Sequence, residues 1–286
     1  MRWMKWLGPF QWEFVLWTAI LVGSVGGLIS MKAFNSLNAR DFTELTVPEI
    51  IAHRGASAVA PENTRSSIVE AIRVKASVIE FDVRATRDGE LVLFHDDNFE
   101  RLVGTKGSVE STTWADFEAM DVGKWFGDTR FAGENPIRMA FAIELCLGGD
   151  SIPLIEHKTG SAAAYAKVIR KLGVTEKVIV QSFNWDFLRD LKEELPDTAI
   201  GALGSKTLTS ERLAELESLS PNWVGWNYKD LRTSDLTALQ DFGAKVVLWT
   251  VNDPSVARQW VAAGADGIIT DRPAEMAKAF EPTEGE

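Results

Sequence analysis

The chain has 286 residues, 45% of them hydrophobic and 25% charged, with a net charge of −11. That length accommodates one large domain, such as an α/β barrel, or two small ones, and the composition is that of an ordinary globular protein, which excludes a largely disordered or disulfide-stapled chain. Residues 1–40 carry Arg2, Lys5, Lys32 and Arg40 against Glu13, a net +3 that leaves −14 for the body; so acidic a body excludes nucleic acid as a partner and repels anionic lipid headgroups.

From Phe14 to Met31 no residue is charged, about the shortest stretch that spans a bilayer core as a helix. Trp3, Trp6, Trp12 and Trp17 gather on its N-terminal side, where aromatic rings anchor at an interface. The expectation is a membrane anchor over 1–34, with a transmembrane helix at about 14–31 and a connector at 35–47. Arg2 and Lys5 favour a single pass with the N-terminus in the cytoplasm and the catalytic body outside. A cleaved signal with a secreted body is the alternative, and a buried globular helix is a third reading.

Beyond the connector, short apolar runs alternate with helical patterns. The strand-like runs are EIIAHR (49–54), VIEFDV (78–83), LVLFHD (91–96), PLIEHK (153–158), VIVQSF (178–183), AIGAL (199–203), WVGWN (223–227), VVLWTV (246–251) and GIITD (267–271). Amphipathic stretches such as SAAAYAKVIRKLG and WDFLRDLKEEL fall between them, the pattern of parallel strands joined by helical crossovers. Only Thr86-Arg87-Asp88-Gly89-Glu90 separates VIEFDVRA from LVLFHD, which predicts a hairpin with an antiparallel return. Eight parallel strands remain, and the expected fold is a TIM-type (β/α)8 barrel over 48–280, with an insertion after strand two at about 97–151. The lone Cys146 has no disulfide partner and reads as a buried structural thiol.

In such a barrel the chemistry lies at the C-terminal ends of the strands. There the chain places His53-Arg54-Gly55, then Glu80 and Asp82, then His95-Asp96, then Glu156 and Lys158. Strand alternation puts Glu80 and Asp82 on one face, an arrangement that needs a cation between the two carboxylates or a proton on one of them. Three carboxylates, two imidazoles and two cations at one mouth suit a hard divalent ion and an anionic phosphate. Arg54 and Lys158 would clasp the phosphate, while His53 and His95 exchange protons with the attacking and leaving oxygens, a pattern that reads as phosphodiester cleavage. His53 is the preferred base. Alternation sends His157 to the outer, helix-packed side.

The ordered motifs AHRGASAVAPENT, VIEFDVRATRDGELVLFHD, IEHK, QSF, WTVNDP and DGIITDRP resemble the glycerophosphodiester phosphodiesterase family, from about Ile50 to Pro273. The resemblance implies a TIM barrel with a small insertion and hydrolysis of glycerophosphodiesters to sn-glycerol 3-phosphate and an alcohol. It also implies His53 and His95 as acid and base, Glu80, Asp82 and Glu156 as ligands of one Mg²⁺ or Ca²⁺, and Arg54 and Lys158 as phosphate ligands. Glu62 and Asn63 would support that site, and Trp249 would line its glycerol side. His157 stands where the family commonly has an apolar residue, and NPIRMAFAIELCLGG departs from the family pattern before the next strand. Two rival functions are hydrolysis of membrane lysophospholipids at the same site, in the manner of a lysophospholipase D, and a catalytically silent phosphate-binding barrel. Oligomeric state is not legible.

Overall fold

The computed structural model describes residues 48–241 and 243–281. The expected anchor and connector lie outside the described residues, and among those described no helix is long and apolar enough to cross a membrane.

Nine strands form one sheet: β1 (Glu49–Ala52), β2 (Val78–Ala85), β3 (Leu91–Leu93), β4 (Ile152–His157), β5 (Ile179–Ser182), β6 (Ala199–Gly204), β7 (Trp223–Asn227), β8 (Lys245–Trp249) and β9 (Gly267–Thr270). β1 pairs in parallel with both β2 (Ile51 beside Val78) and β9 (Glu49 beside Gly267), so the parallel strands close into an eight-stranded barrel. β3 lies outside that ring, antiparallel to β2, with Val83 opposite Leu93. The Gly89 amide donates to the Thr86 carbonyl (2.9 Å), and φ of +87° at Gly89 turns the chain back. This is the hairpin that the five-residue spacing predicts.

The helices are α1 (Arg65–Arg73), α2 (Trp114–Glu118), α3 (Met139–Gly148), α4 (Ala162–Leu172), α5 (Trp185–Glu194), α6 (Ser210–Leu219), α7 (Thr233–Gln240), α8 (Pro254–Ala262) and α9 (Pro273–Ala279). Local sequence stops and starts them. Thr64 caps α1 by accepting from the Ser67 amide, and Gly173, at φ +66°, closes α4.

Three apolar clusters divide the described residues. Ile51, Val78, Leu154, Ile179, Trp223, Val247 and Ile269 fill the barrel interior. A larger cluster packs the opposite strand faces against the helices. A third, around Phe94, Phe99, Trp114 and Phe117, gives the segment after β3 its own small core.

Most strands differ from the sequence reading by one to three residues at an end, and two of these ends bear on the site. β1 stops at Ala52 and β3 at Leu93, so His53, Arg54 and His95 sit on the turns beyond the strands. The expected insertion at 97–151 also ends early. Its last part, α3, buries Met139, Ala142, Ile143 and Cys146 in the same cluster as Phe81 and Ile155, as a barrel helix does. MAFAIELCLG carries one charge, Glu144, so it shows no polar stripe from which a helical period could be read. Cys146 is fully buried there, and burial pushes its thiol pKa up, as expected of a structural cysteine.

Candidate active site

Inward side chains change from apolar to polar toward the C-terminal end of the strands. Ile51 is followed two residues on by His53, Val78 by Glu80 and Asp82, Leu154 by Glu156, Ile179 by Gln181, Val247 by Trp249, and Ile269 by Asp271. The apolar members are packed inside the barrel, so the polar ones collect at its mouth. Arg54 follows at φ +54° and Gly55 at φ +79°; a Cβ on Gly55 would lie 2.5 Å from Ser67. Only glycine lets this turn close against α1 while the Arg54 amide donates to Glu80 Oε2 (2.8 Å).

His53, Arg54, Glu80, His95, Glu156, Lys158 and Trp249 line one cavity. Glu80, Asp82 and Glu156 are buried, and each presents a carboxylate oxygen within 4.8 Å of the others. Arg54 Nε lies 3.2 Å from Asp82 Oδ2 and Lys158 Nζ 3.2 Å from Asp82 Oδ1, while Lys158 also bonds Glu156. Asn63 fixes Asp82 from α1's entry loop: its Nδ2 donates to Oδ2 (2.8 Å), and its Oδ1 accepts from the Asp82 amide (2.9 Å).

Burial alone would raise the Asp82 pKa, but Arg54 and Lys158 outweigh it and hold this carboxyl below the usual range. Glu80 has no such excess of cations. Burial, then repulsion from Asp82 and Glu156, pushes it up, and the same burial and Asp82 push Glu156 up to about 7. Arg54 and Lys158 therefore do not offset all three acids, and among the described residues Glu80 Oε1 is buried without a hydrogen-bond partner. An all-oxygen cluster with one unpartnered atom and surplus negative charge fits a hard divalent cation.

The two histidines are braced on Nδ1. His53 Nδ1 lies 2.6 Å from Asp271 Oδ1, and Asp271 itself accepts from Ser57 (2.9 Å) and Asn252 (2.6 Å). His95 Nδ1 lies 2.8 Å from Asp96 Oδ1. Burial, reinforced by Arg54 and Lys158 against the pull of Asp82, holds His95 below the usual imidazole range. Among the described residues neither ring has a partner on Nε2, which leaves that atom for a ligand.

The chain matches the model of the glycerophosphoryl diester phosphodiesterase family over residues 53–275. A glycerophosphodiester phosphodiesterase of Caldanaerobacter subterraneus is 34% identical over 234 residues, 78% of this chain and 94% of the relative. The chain belongs to the glycerophosphoryl diester phosphodiesterase family. Its fold resembles that of an Oleispira antarctica phosphodiesterase solved in complex with the product sn-glycerol-3-phosphate, at TM-score 0.78 and 27% identity over 82% of this chain and 98% of the other. A Thermotoga maritima glycerophosphodiester phosphodiesterase is 26% identical at TM-score 0.65, covering 81% of this chain and 97% of its own.

Several residues of this phosphodiesterase site escape sequence reading. Asp271 is one, since it meets His53 only when β9 closes on β1. Arg101 is another. Its guanidinium binds both Asp96 oxygens (2.7 and 2.8 Å) and both Glu62 oxygens (2.8 Å each), lying 5.5 Å over the Trp125 ring of the insertion. One fork thus braces the partner of His95 and, through Glu62, which accepts from Arg54 Nη1 at 2.7 Å, the neighbouring guanidinium. Phe183 stands half-exposed at the rim, edge-on to Trp249. The short spacing from His95-Asp96 to Arg101 was the available signal for Arg101; Asp271 had only its place at a strand end.

His157 lies outside the cavity, as alternation predicts. It stacks on Phe187 at 3.5 Å, its Nε2–H donates to the Gly160 carbonyl (3.1 Å), and its Nδ1 faces Ser182 Oγ (3.0 Å). Burial lowers its pKa from 6.5 to about 4. Between those values the unfolded chain binds a proton that the native ring refuses, so stability is full above pH 6.5 and declines toward pH 4, by up to about 3 kcal/mol. In His157→Gln the slope of unfolding free energy against pH in that window decreases by about one proton. An unchanged slope in urea titrations would refute the buried neutral ring.

Proposed function

We propose that the chain hydrolyses glycerophosphodiesters to sn-glycerol 3-phosphate and an alcohol, with one divalent ion, Mg²⁺ or Ca²⁺, held by Glu80, Asp82 and Glu156. The observation that carries this reading is the set of three buried carboxylates, each with an oxygen within 4.8 Å of the others, at a mouth that also holds two cations and two braced imidazoles. When bound, such an ion supplies Lewis-acid polarisation of the phosphoryl oxygens and neutralises charge that develops on them.

The chain's own residues do the rest. Arg54 offers its fork and Lys158 its point charge to the phosphate; Lys158, held up to about 12 because Asp82 and Glu156 outweigh its burial, stays charged through the physiological range. His95, held below the usual imidazole range chiefly by burial, is suited to take a proton from the substrate's 2-hydroxyl or a water. His53, oriented through Nδ1 by Asp271, would then protonate the leaving alcohol. This is the reverse of the sequence-based preference. The apolar run 14–31 is read as an anchor that keeps the catalytic body beside a membrane, outside the cytoplasm; that assignment rests on the sequence alone.

Turnover of the full-length chain on a panel of glycerophosphodiesters, with lysophosphatidylcholine in parallel, tests the reading. Release of sn-glycerol 3-phosphate, abolished by EDTA and restored by Mg²⁺ or Ca²⁺, is expected. Restoration by zinc alone, or turnover confined to the lysophospholipid, would overturn it.

A further inference from the structure

We propose that Gln181 is a specificity-determining residue that reads the glycerol hydroxyl farther from phosphorus; the assignment rests on the function proposed above. Gln181 follows Ile179 on the inward face of β5 and lies beside Glu156 in the register, one strand farther round the barrel than the acids. It lines the same cavity as Glu80, Glu156 and Lys158. It is 1% exposed, and among the described residues its Oε1 is buried with no hydrogen-bond partner. A buried amide left so costs stability unless a ligand completes it.

The strands beyond β5 keep the space before this amide open. On β6 the inward residue is Gly201, where a Cβ would stand 3.0 Å from the Gln181 Cβ and 3.2 Å from Trp223. On β7 it is Gly225, where a Cβ would stand 2.6 Å from Leu203, 3.6 Å from Trp249 and 3.8 Å from Gln181 Oε1. Side chains at both positions would crowd the amide, and glycine removes them. Trp249 Nε1 is likewise buried without a partner among the described residues, and Trp249 lines the same cavity. The pocket therefore presents an orphan acceptor and an orphan donor. A hydroxyl, which donates and accepts at once, satisfies both, whereas a methyl satisfies neither. The 2-hydroxyl sits next to the phosphate, beside the acids and imidazoles, so the terminal hydroxyl is the one left for Gln181. Acylation of that hydroxyl removes its proton and adds bulk, which selects against 1-acyl lysophospholipids.

The test compares kcat/KM of wild type and Gln181→Leu on the phosphocholine diesters of glycerol and of propane-1,2-diol, the second lacking only the terminal hydroxyl. Wild type is expected to prefer the glycerol diester by about 10- to 100-fold, and the variant to lose about that factor on it while changing by less than about threefold on the diol diester. Gln181→Met, closer in shape, serves if the leucine variant does not fold. Equal losses on both substrates would show a merely structural role and overturn the assignment, as would an unchanged rate on the glycerol diester. If wild type cleaves neither diester, the functional reading itself fails, and this inference falls with it.

Discussion

Replacing either His53 or His95 with alanine lowers kcat on a glycerophosphodiester by about 10²- to 10⁴-fold without unfolding the protein. The size follows from the loss of a positioned proton donor or acceptor at an oxygen that must gain or shed a proton. Folding survives because the partners left behind are still satisfied. Asp271 keeps its bonds to Ser57 and Asn252, and Asp96 keeps both bonds from Arg101. Thermal melts within a few degrees of wild type check that point. The third histidine is the control: His157 stacks on Phe187 outside the cavity, so His157→Gln loses stability before it loses turnover. Near wild-type turnover in either His53→Ala or His95→Ala would sink the imidazole pair.

Glu80→Gln separates activity from stability. The variant keeps an oxygen to accept from the Arg54 amide but removes one of three crowded charges. Turnover is expected to fall by roughly 10²-fold or more, because the ion is held weakly or not at all. In EDTA, by contrast, the variant should be at least as stable as wild type. The sign follows from linkage. The Glu80 pKa is raised in the fold, so the native state binds more protons than the unfolded chain above the ordinary carboxylate range, and wild-type stability falls as pH rises there. Glutamine cannot ionise, so its advantage grows with pH. Adding Mg²⁺ or Ca²⁺ reverses the order, raising the melting temperature of wild type and leaving the variant unmoved. A variant that melts well below wild type in EDTA, or that gains as much from the ion, would show that Glu80 is a structural acid.

Much of this site was legible because its signals are local. Glu80 and Asp82, or Glu156 and Lys158, share a face by the two-residue period of a strand, and that period needs no tertiary information. The Asp-Gly turn announced the antiparallel return of β3 for the same reason. Where the period is absent the reading failed. Nearly uniform apolarity hid α3 inside the expected insertion, and the strand ends before His53 and His95 depend on turns that alternation does not describe.

The amino-acid sequence by itself determined the barrel, its mouth, and the residue types gathered there, since apolar alternation, turn chemistry and motif order are all written within a few residues of one another. Only the tertiary structure decided which side chains brace which. His53 finds Asp271 across 218 positions, and Arg101 joins Glu62, 39 positions away, to Asp96. Gln181 becomes an orphan acceptor because glycines on the next two strands stand beside it. Those meetings are set by barrel closure and register, which are properties of the whole sheet, and no stretch of chain encodes them alone.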